Sequence, residues 1–378
     1  MLGELRLSRP VGLVLGLCVV ILIVFRFSYA EAGFSFDYQF YIDFFASTKS
    51  ASFRELVEAT SETFPYTYWG GESVSFEFGF SFLSYLLTKI FSPSATYTVI
   101  ALLSLSFKLY IFSRTKLNIL YVLPLFIYAG VLLEGNALRA AVATSFLMWS
   151  SWLLYEGKLK SALIAMMIAS TMHISSLVFL LGFIGAYFFH ILRLYYTGIL
   201  LTFSVTTVIV VNLEVILVFA GGKLGEYAAQ TAKGMYVGAS GFNAQSLLAI
   251  SFFVIIQYCS LKDAKIVETG KEKFIWLYFS IITICLFALI AFSGVFSIFG
   301  DRLWQMAYFV VLVYVAVLWQ KADRTRGFRK LSIARLYLFL GLGCVFYFLA
   351  FSLLFRYPQT NLASFFIGWK YYSYLNVL

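Results

Sequence analysis

Long apolar runs, separated by short polar stretches, dominate the amino-acid sequence. A helix needs roughly 20 predominantly apolar residues to cross a bilayer. Runs of about that length lie at residues 11–29, 74–91, 95–113, 117–134, 137–155, 161–189, 197–219, 244–261, 274–294, 303–320 and 336–355. The pattern predicts an all-α polytopic integral membrane protein with about 11 transmembrane segments, in which residues 1–378 form a single transmembrane domain.

Composition agrees with this fold class and excludes others. Of the 378 residues, 61% are hydrophobic and 12% are charged, whereas soluble domains carry about 25% charged residues. A chain so poor in charge is not a soluble enzyme, a disordered chain or a nucleic-acid-binding protein. Its net charge of +10 is attributed to basic cytoplasmic loops rather than to a polyanionic partner.

The basic loops predict how the chain is oriented in the bilayer. Cytoplasmic loops of membrane proteins are rich in Lys and Arg, and the loop 321–335 is the most basic of this chain. Its basic residues are Lys321, Arg324, Arg326, Arg329, Lys330 and Arg335. Counting back from this loop, segments 30–73 and 220–243 are expected to be outward-facing loops, the first of them acidic and aromatic.

One apolar segment, 161–189, is too long for a simple crossing and has His173 near its centre. It either crosses once or forms a hairpin of two short helices that turns at His173. The hairpin places more basic residues on the cytoplasmic side, so we prefer a broken, re-entrant hairpin; the polar segment 74–91 would then not span. Broken helices at membrane depth are buried by protein or line wet cavities, so we expect a functional site here.

Ionisable residues within or beside the apolar runs are the candidates for chemistry, because a charge in the bilayer is costly. They are Arg26, Glu77, Lys108, Arg139, His173, Glu214, Asp301 and Arg302. Arg26 and Lys108 lie near predicted helix ends, where a long cationic side chain can snorkel to the interface. Arg139, which follows Glu134-Gly135-Asn136, and His173, at the predicted break, are the strongest functional candidates.

The sequence gives no sign of a metal or of an organic cofactor, and we expect neither. The two histidines are isolated, which argues against zinc. No Gly-rich phosphate loop and no nucleophile elbow are present.

Outward-facing arginines beside a membrane cavity suit a lipid-linked pyrophosphate, because arginine is always charged and can bind phosphate through two N–H donors. A neutral histidine or a carboxylate could accept the proton of an acceptor hydroxyl. These features are compatible with a membrane glycosyltransferase, but composition alone does not select one. A flippase or transporter of lipid-linked oligosaccharide, or another membrane transferase such as a glycan ligase or an acyltransferase, remains open.

Several short motifs resemble those of one family. Asn136-Ala-Leu-Arg139 and His173-Ile-Ser175 are similar to the central Arg and His motifs of the EpsG/Wzy-type polysaccharide polymerases. Asp37-Tyr38, the run around Glu77 and the sequence Asp301-Arg302-Leu303 resemble that family's other pieces. One departure is Ala140, which stands where the family pattern leads us to expect Gln.

The resemblance implies a GT-C-like, all-helical membrane glycosyltransferase. Such an enzyme transfers a growing glycan from undecaprenyl pyrophosphate to a lipid-linked repeat unit, at the periplasmic face of the bacterial inner membrane, in O-antigen or exopolysaccharide biosynthesis. It uses no nucleotide sugar and usually no metal. Its implied partners are the undecaprenyl-pyrophosphate-linked oligosaccharide, the lipid bilayer, a repeat-unit flippase and a chain-length regulator.

The residues that match the motifs receive roles on the same basis. Arg139 and Arg302 are expected to bind the pyrophosphate of the donor, and His173 to position or deprotonate the acceptor. Substrate binding, including the orientation of sugars and arginine side chains, is expected of Asp37, Glu77, Asn136 and Asp301.

Overall fold

The described part of the chain is helical throughout and contains no β-strand. The computed structural model describes residues 16, 18, 38–61, 77–114, 133–135, 137–212, 270–292, 303, 305–307, 309–311, 313 and 314. These residues confirm the all-helical fold. The predicted number of 11 spans and the GT-C-like arrangement remain predictions, because four of the apolar runs (11–29, 117–134, 244–261 and 336–355) lie wholly or largely outside the described residues.

Nine helices and one 3₁₀ turn account for most of the described residues. In chain order the helices are α1 Tyr38–Ser50, α2 Phe53–Ser61, α3 Phe78–Thr88, α4 Pro93–Arg114, α5 Leu138–Glu156, α6 Leu159–Met172, α7 Leu177–Ile191, α8 Tyr195–Val211 and α9 Gly270–Phe292; the 3₁₀ turn Ile174–Ser176 joins α6 to α7. Within this part of the chain, the segments long and apolar enough to cross a bilayer are Pro93–Arg114 and Ile174–Ile191. Shorter apolar helices are Phe78–Thr88, Leu159–Met172 and Tyr195–Ile209.

The long apolar segment 161–189 is broken at His173, where the sequence predicted a turn. Helix α6 ends at Met172, and His173 is extended, with φ −157° and ψ 125°. In a continuous helix the N–H of Ile174 would donate to the carbonyl oxygen four residues earlier. Here it donates to the Glu77 side chain at 3.2 Å, so a tertiary contact replaces the helical bond at the break. How the two halves lie relative to the bilayer stays a prediction.

The predicted loop 30–73 is helical over the residues that the structure describes within it. Helix α1 buries Tyr41, Phe44, Phe45 and Thr48, a spacing of three and four residues that places them on one face. These three aromatic residues belong to the protein core.

Helix α2 begins with a capping box: the Ser52 N–H donates to the Glu55 carboxylate at 2.6 Å and the Glu55 N–H to the Ser52 hydroxyl at 3.2 Å. The backbone hydrogen bond from Ser52 lowers the pKa of Glu55.

A tight reversal joins α5 to α6, which pack side by side. Gly157 ends α5 with φ +85°, a left-handed conformation that favours glycine. The Gly157 N–H donates to the Leu154 carbonyl and the Lys158 N–H to the Leu153 carbonyl, at 3.0 and 2.9 Å. This Schellman motif satisfies carbonyl groups that the helix end leaves without helical partners.

Glycine at position 79 allows α3 to approach α6 closely. A Cβ atom on Gly79 would lie 2.9 Å from both the Cβ and the carbonyl oxygen of Thr171, a separation that forces the two helices apart. Because Thr171 is two residues before His173 and Gly79 two residues after Glu77, this crossing brings the Glu77 carboxylate next to the break in the long segment.

The structure contradicts the prediction that Lys108 snorkels to the membrane interface. Lys108 and Glu134 form an ion pair, and both side chains are 0% exposed. Lys108 lies on α4, and its charge is neutralised inside the protein by a carboxylate 26 residues away in sequence. The sequence interpretation did not assign a role to Glu134.

We predict that Gly79→Ala lowers stability by about 1–3 kcal/mol, because the added methyl group overpacks the contact between α3 and α6. Thermal unfolding of the detergent-solubilised protein, followed by tryptophan fluorescence, measures the effect. Gly185→Ala is the matched control, since a Cβ on this α7 glycine meets no atom within 4 Å; its stability should be unchanged or slightly higher, because alanine favours helix. Equal melting temperatures for the two variants would contradict the close approach.

Candidate functional site

The Glu77 carboxylate holds an arginine and a histidine from two other parts of the chain. Its Oε2 atom accepts a hydrogen bond from Arg139 Nη1 at 2.7 Å. Its Oε1 atom accepts the Ile174 N–H at 3.2 Å and lies 3.3 Å from His173 Nδ1. The side chains are nearly buried, with exposed fractions of 10% for Glu77, 12% for Arg139 and 8% for His173. We call Glu77, Arg139 and His173 the Glu77 cluster.

Each member of the Glu77 cluster lies at the end of a helix. Glu77 is the N-cap residue of α3, but its side chain makes no capping bond to its own helix and faces the other members instead. Arg139 is the second residue of α5, and His173 follows the last residue of α6. Glu77 and His173 have extended backbone angles and lie just outside their helices, whereas Arg139 lies in the first turn of α5.

Tyr41 on α1 fixes the beginning of α5. The N-cap residue of α5 is Ala137, which has no side chain able to cap the helix. The hydroxyl of Tyr41 accepts the Arg139 N–H at 3.3 Å, so it supplies a partner for one of the donors that a helix start leaves without a helical acceptor. The Tyr41 ring also packs against Phe80 on α3, with ring centres 5.8 Å apart. Tyr41 therefore ties α1, α3 and α5 together at the site.

The surroundings of the Glu77 carboxylate are electropositive. Arginine stays protonated at any ordinary pH, and the beginnings of α3 and α5, where Glu77 and Arg139 lie, carry the partial positive charge of a helix N-terminus. In a nearly water-free setting, such charges act more strongly than they do in water. The same arrangement that stabilises the Glu77 carboxylate would also stabilise a phosphate group brought beside Arg139.

Nδ1 is the ring nitrogen of His173 that faces the Glu77 carboxylate, at 3.3 Å. This contact favours a proton on Nδ1 and makes Nε2 the basic nitrogen of the neutral ring. His173 can therefore accept a proton at Nε2. The Glu77 carboxylate beside Nδ1 would stabilise the positive charge of the protonated ring.

The structure brings together three of the seven residues that the sequence nominated. Glu77, Arg139 and His173 meet in the cluster described above. The other four, Asp37, Asn136, Asp301 and Arg302, lie outside the described residues. Sequence reasoning did not place Tyr41 in the site, although it lies near the Asp37-Tyr38 motif. Tyr41 stands with Asp37-Tyr38 in the piece that resembles the family, but its place in the buried stripe of α1 indicates packing and not a hydrogen bond to Arg139.

The described residues contain no group of three or more His, Cys, Asp or Glu side chains that could hold a metal ion. The Glu77 cluster itself offers one carboxylate and one imidazole beside a permanent cation. Such a set of groups is suited to charge stabilisation by the arginine and proton transfer by the histidine.

We predict that Glu77→Gln destabilises the protein by about 3–5 kcal/mol, because it leaves Arg139 nearly buried without its charged partner. Thermal unfolding of the solubilised protein measures the change. The control is Glu156→Gln, which neutralises the Glu156–Lys158 pair, where Lys158 is 61% exposed; exposed pairs contribute about 0–1 kcal/mol. A Glu77→Gln variant as stable as the control would show that the Arg139 ion pair contributes no stability.

Comparison with known proteins gives one match. The model of the EpsG family matches residues 13–374, a range that includes every member of the Glu77 cluster and nearly the whole chain. No curated protein and no solved structure matches. Since the family model covers far more than half of the sequence, the chain belongs to the EpsG family.

Proposed function

We propose that this protein is a polysaccharide polymerase of the bacterial inner membrane. It transfers a growing glycan from undecaprenyl pyrophosphate to a lipid-linked repeat unit at the periplasmic face, in O-antigen or exopolysaccharide biosynthesis. Two findings support the proposal: the chain belongs to the EpsG family, which points to a membrane protein of polysaccharide-polymerase type, and its apolar helices are suited to a bilayer.

The observation that carries the proposal is that one carboxylate holds both a permanent cation and a titratable base. Arg139 is 62 residues from Glu77, and the Ile174 N–H that fixes the His173 turn is 97 residues from it. A polymerase that uses a lipid pyrophosphate donor needs a cation beside the leaving pyrophosphate and a base beside the acceptor hydroxyl. Both must lie close to the one sugar at which the bond is exchanged. Arg139 and His173 meet this requirement because they share the Glu77 carboxylate.

The proposed reaction is a displacement at the anomeric carbon of the donor glycan. The acceptor hydroxyl oxygen forms a bond to that carbon, the bond between the carbon and the pyrophosphate oxygen breaks, and the hydroxyl proton moves to His173 Nε2. The leaving pyrophosphate gains negative charge as its bond breaks. Arg139 stabilises this charge more in the transition state than in the bound substrate, which is the condition for lowering the barrier.

Other parts of the proposal extend beyond the Glu77 cluster. Arg302 would be a second cation for the pyrophosphate, and Asp37, Asn136 and Asp301 would orient sugars or arginine side chains. A flippase would deliver the repeat unit and a chain-length regulator would limit the product. The overall arrangement of helices would be GT-C-like.

We predict that Arg139→Ala and His173→Ala abolish the ladder of surface polysaccharide when each variant replaces the wild-type gene in a null host. Loss of general-base catalysis costs about 10²–10⁴-fold in rate, and loss of one charge-stabilising donor about 10²–10³-fold. The measurement is a gel of surface polysaccharide, with an immunoblot of membranes to show equal protein amounts. The wild type should give a ladder and the variants a single capped repeat.

Matched controls use the same residue types outside the site. Arg114→Ala removes an exposed arginine at the end of α4, and His190→Ala removes the other histidine of the chain, near the end of α7; both should retain the ladder. A ladder of normal length from Arg139→Ala, at normal protein amount, would refute the proposed role of the cluster. A null host that lacks even the single capped repeat would point to delivery or ligation instead, and the flippase or ligase alternatives would then lead.

A further inference from the structure

A fully buried polar cluster lies next to the segment that leads into Arg139. The ion pair of Lys108 with Glu134 Oε1 is at its centre, and the Ser104 hydroxyl donates to the same Oε1 atom at 2.7 Å. The hydroxyl groups of Ser104 on α4 and Ser145 on α5 are 3.0 Å apart. Tyr97 on α4 donates its hydroxyl hydrogen bond to the Glu134 carbonyl oxygen at 2.7 Å. We call these five residues the Lys108 cluster.

The Lys108 cluster holds both the side chain and the main chain of Glu134. Lys108 and Ser104 hold the carboxylate, and Tyr97 holds the backbone carbonyl. The Ala137 N–H donates to the Leu133 carbonyl at 2.7 Å, which links the residue before Glu134 to the N-cap residue of α5. Arg139 follows Glu134 by five residues, so the start of α5 is fixed relative to α4.

The Lys108 cluster also holds α5 beyond Arg139. Ser145 follows Arg139 by six residues, and its hydroxyl, with one hydrogen to donate, lies 3.0 Å from the Ser104 hydroxyl and 3.2 Å from the Ser104 carbonyl oxygen on α4. Arg139 is therefore flanked on each side by a residue attached to α4. The Lys108 ammonium in addition lies 4.5 Å from the ring centre of Phe309, which belongs to the segment that follows Asp301 and Arg302 in sequence.

Two tyrosines connect the Lys108 cluster with the Glu77 cluster. The Tyr41 hydroxyl accepts the Arg139 N–H, and the Tyr97 hydroxyl donates to the Glu134 carbonyl. The two rings pack edge to face, with centres 6.0 Å apart. A continuous set of contacts thus extends from the buried ion pair to the backbone of Arg139.

Stability alone does not explain a buried ion pair. Removing two charges from water costs so much that apolar residues of similar volume often stabilise a protein equally well or better. What an ion pair with hydrogen bonds adds is a fixed geometry: Lys108 and Ser104 both bind Glu134 Oε1, whereas Oε2 has no hydrogen-bond partner among the described residues. A fixed position matters for the Arg139 guanidinium, because misplacing a catalytic group by 1 Å can cost about 10²-fold in rate.

We propose that the Lys108 cluster is a positioning device for Arg139. Lys108, Glu134, Ser104, Ser145 and Tyr97 hold α5 against α4 so that the Arg139 guanidinium meets the leaving pyrophosphate. This inference rests on the proposed function, and its residues act through Arg139 without touching the substrate. If it is correct, the effect of the cluster on turnover depends on the arginine side chain at position 139.

The test uses the double variant Lys108→Met/Glu134→Gln, which removes both charges and retains an acceptor for Ser104. Either single variant leaves a buried charge unpaired and should unfold more easily, whereas the double variant should recover a melting temperature close to that of the wild type. The substrate probe is the lipid-linked repeat unit extracted from the null host. Initial rates are measured in vesicles over a range of its concentration and divided by the amount of folded protein.

We expect the double variant to lower kcat at least 10-fold with little change in KM, because Arg139 acts mainly on the transition state. In the Arg139→Lys background, whose own rate is already reduced by loss of the planar guanidinium, the same double substitution should lower kcat less than twofold. Such non-additivity is the sign of residues that act through one another. The control is Lys158→Met/Glu156→Gln, which removes an exposed ion pair and should change kcat in neither background.

Two results would overturn the inference, and they differ in what they imply. Equal fold losses from the double variant in both backgrounds, or full activity once its stability has recovered, would show that the Lys108 cluster is only structural, while the proposed function would stand. An Arg139→Lys variant and an Arg139→Ala variant that both retain the wild-type rate would show that Arg139 is not catalytic. In that case the proposed function of the site and the positioning role would both be rejected.

Discussion

The nearly buried carboxylate of Glu77 needs a positive charge and hydrogen-bond donors beside it. In this structure they come from the first turn of α5 and from the break after α6. The free energy needed to bury an ionised carboxylate is several kcal/mol unless charges and hydrogen bonds offset it. Arg139 supplies a charge at 2.7 Å and the Ile174 N–H a hydrogen bond at 3.2 Å. The Glu77 carboxylate therefore contacts both the first turn of α5 and the break in the long apolar segment 161–189. The residues with the most reactive side chains are brought together by the same requirement.

Two small features make this arrangement sterically possible. Gly79 allows α3 to approach α6 so closely that any Cβ at this position would clash with Thr171. Tyr41 provides the hydroxyl that a capping side chain at Ala137 would otherwise have provided. Both lie outside the reacting groups, and both place a helix end within reach of Glu77. The geometry of the candidate site therefore depends on the packing residues Gly79 and Tyr41 as well as on the ionisable side chains.

The buried pair of Lys108 and Glu134 applies the same electrostatic constraint at a second place. Burying either charge alone would cost several kcal/mol. Together with Ser104, the pair fixes the position of the Glu134 carboxylate relative to α4. The Tyr97 and Tyr41 rings connect this assembly with the backbone of Arg139. The two clusters together give a membrane protein, whose apolar helices could slide past one another, a defined register between α1, α3, α4 and α5.

The sequence by itself determined the fold class and the identity of the three residues in the Glu77 cluster. Helical, membrane-spanning structure depends on the local run of apolar residues, and an ionisable side chain within such a run is rare enough to be noticed without knowing its neighbours. The partners of those side chains could not be predicted, because they depend on contacts between residues far apart in the chain. The sequence predicts that Lys108 reaches the membrane interface, whereas the fold places Glu134 beside it. The sequence also predicts that segment 30–73 is an outward loop, whereas α1 within it packs into the core. Only the tertiary structure decided these points, since the free energy of a buried charge depends on which opposite charge the fold places within a few ångströms.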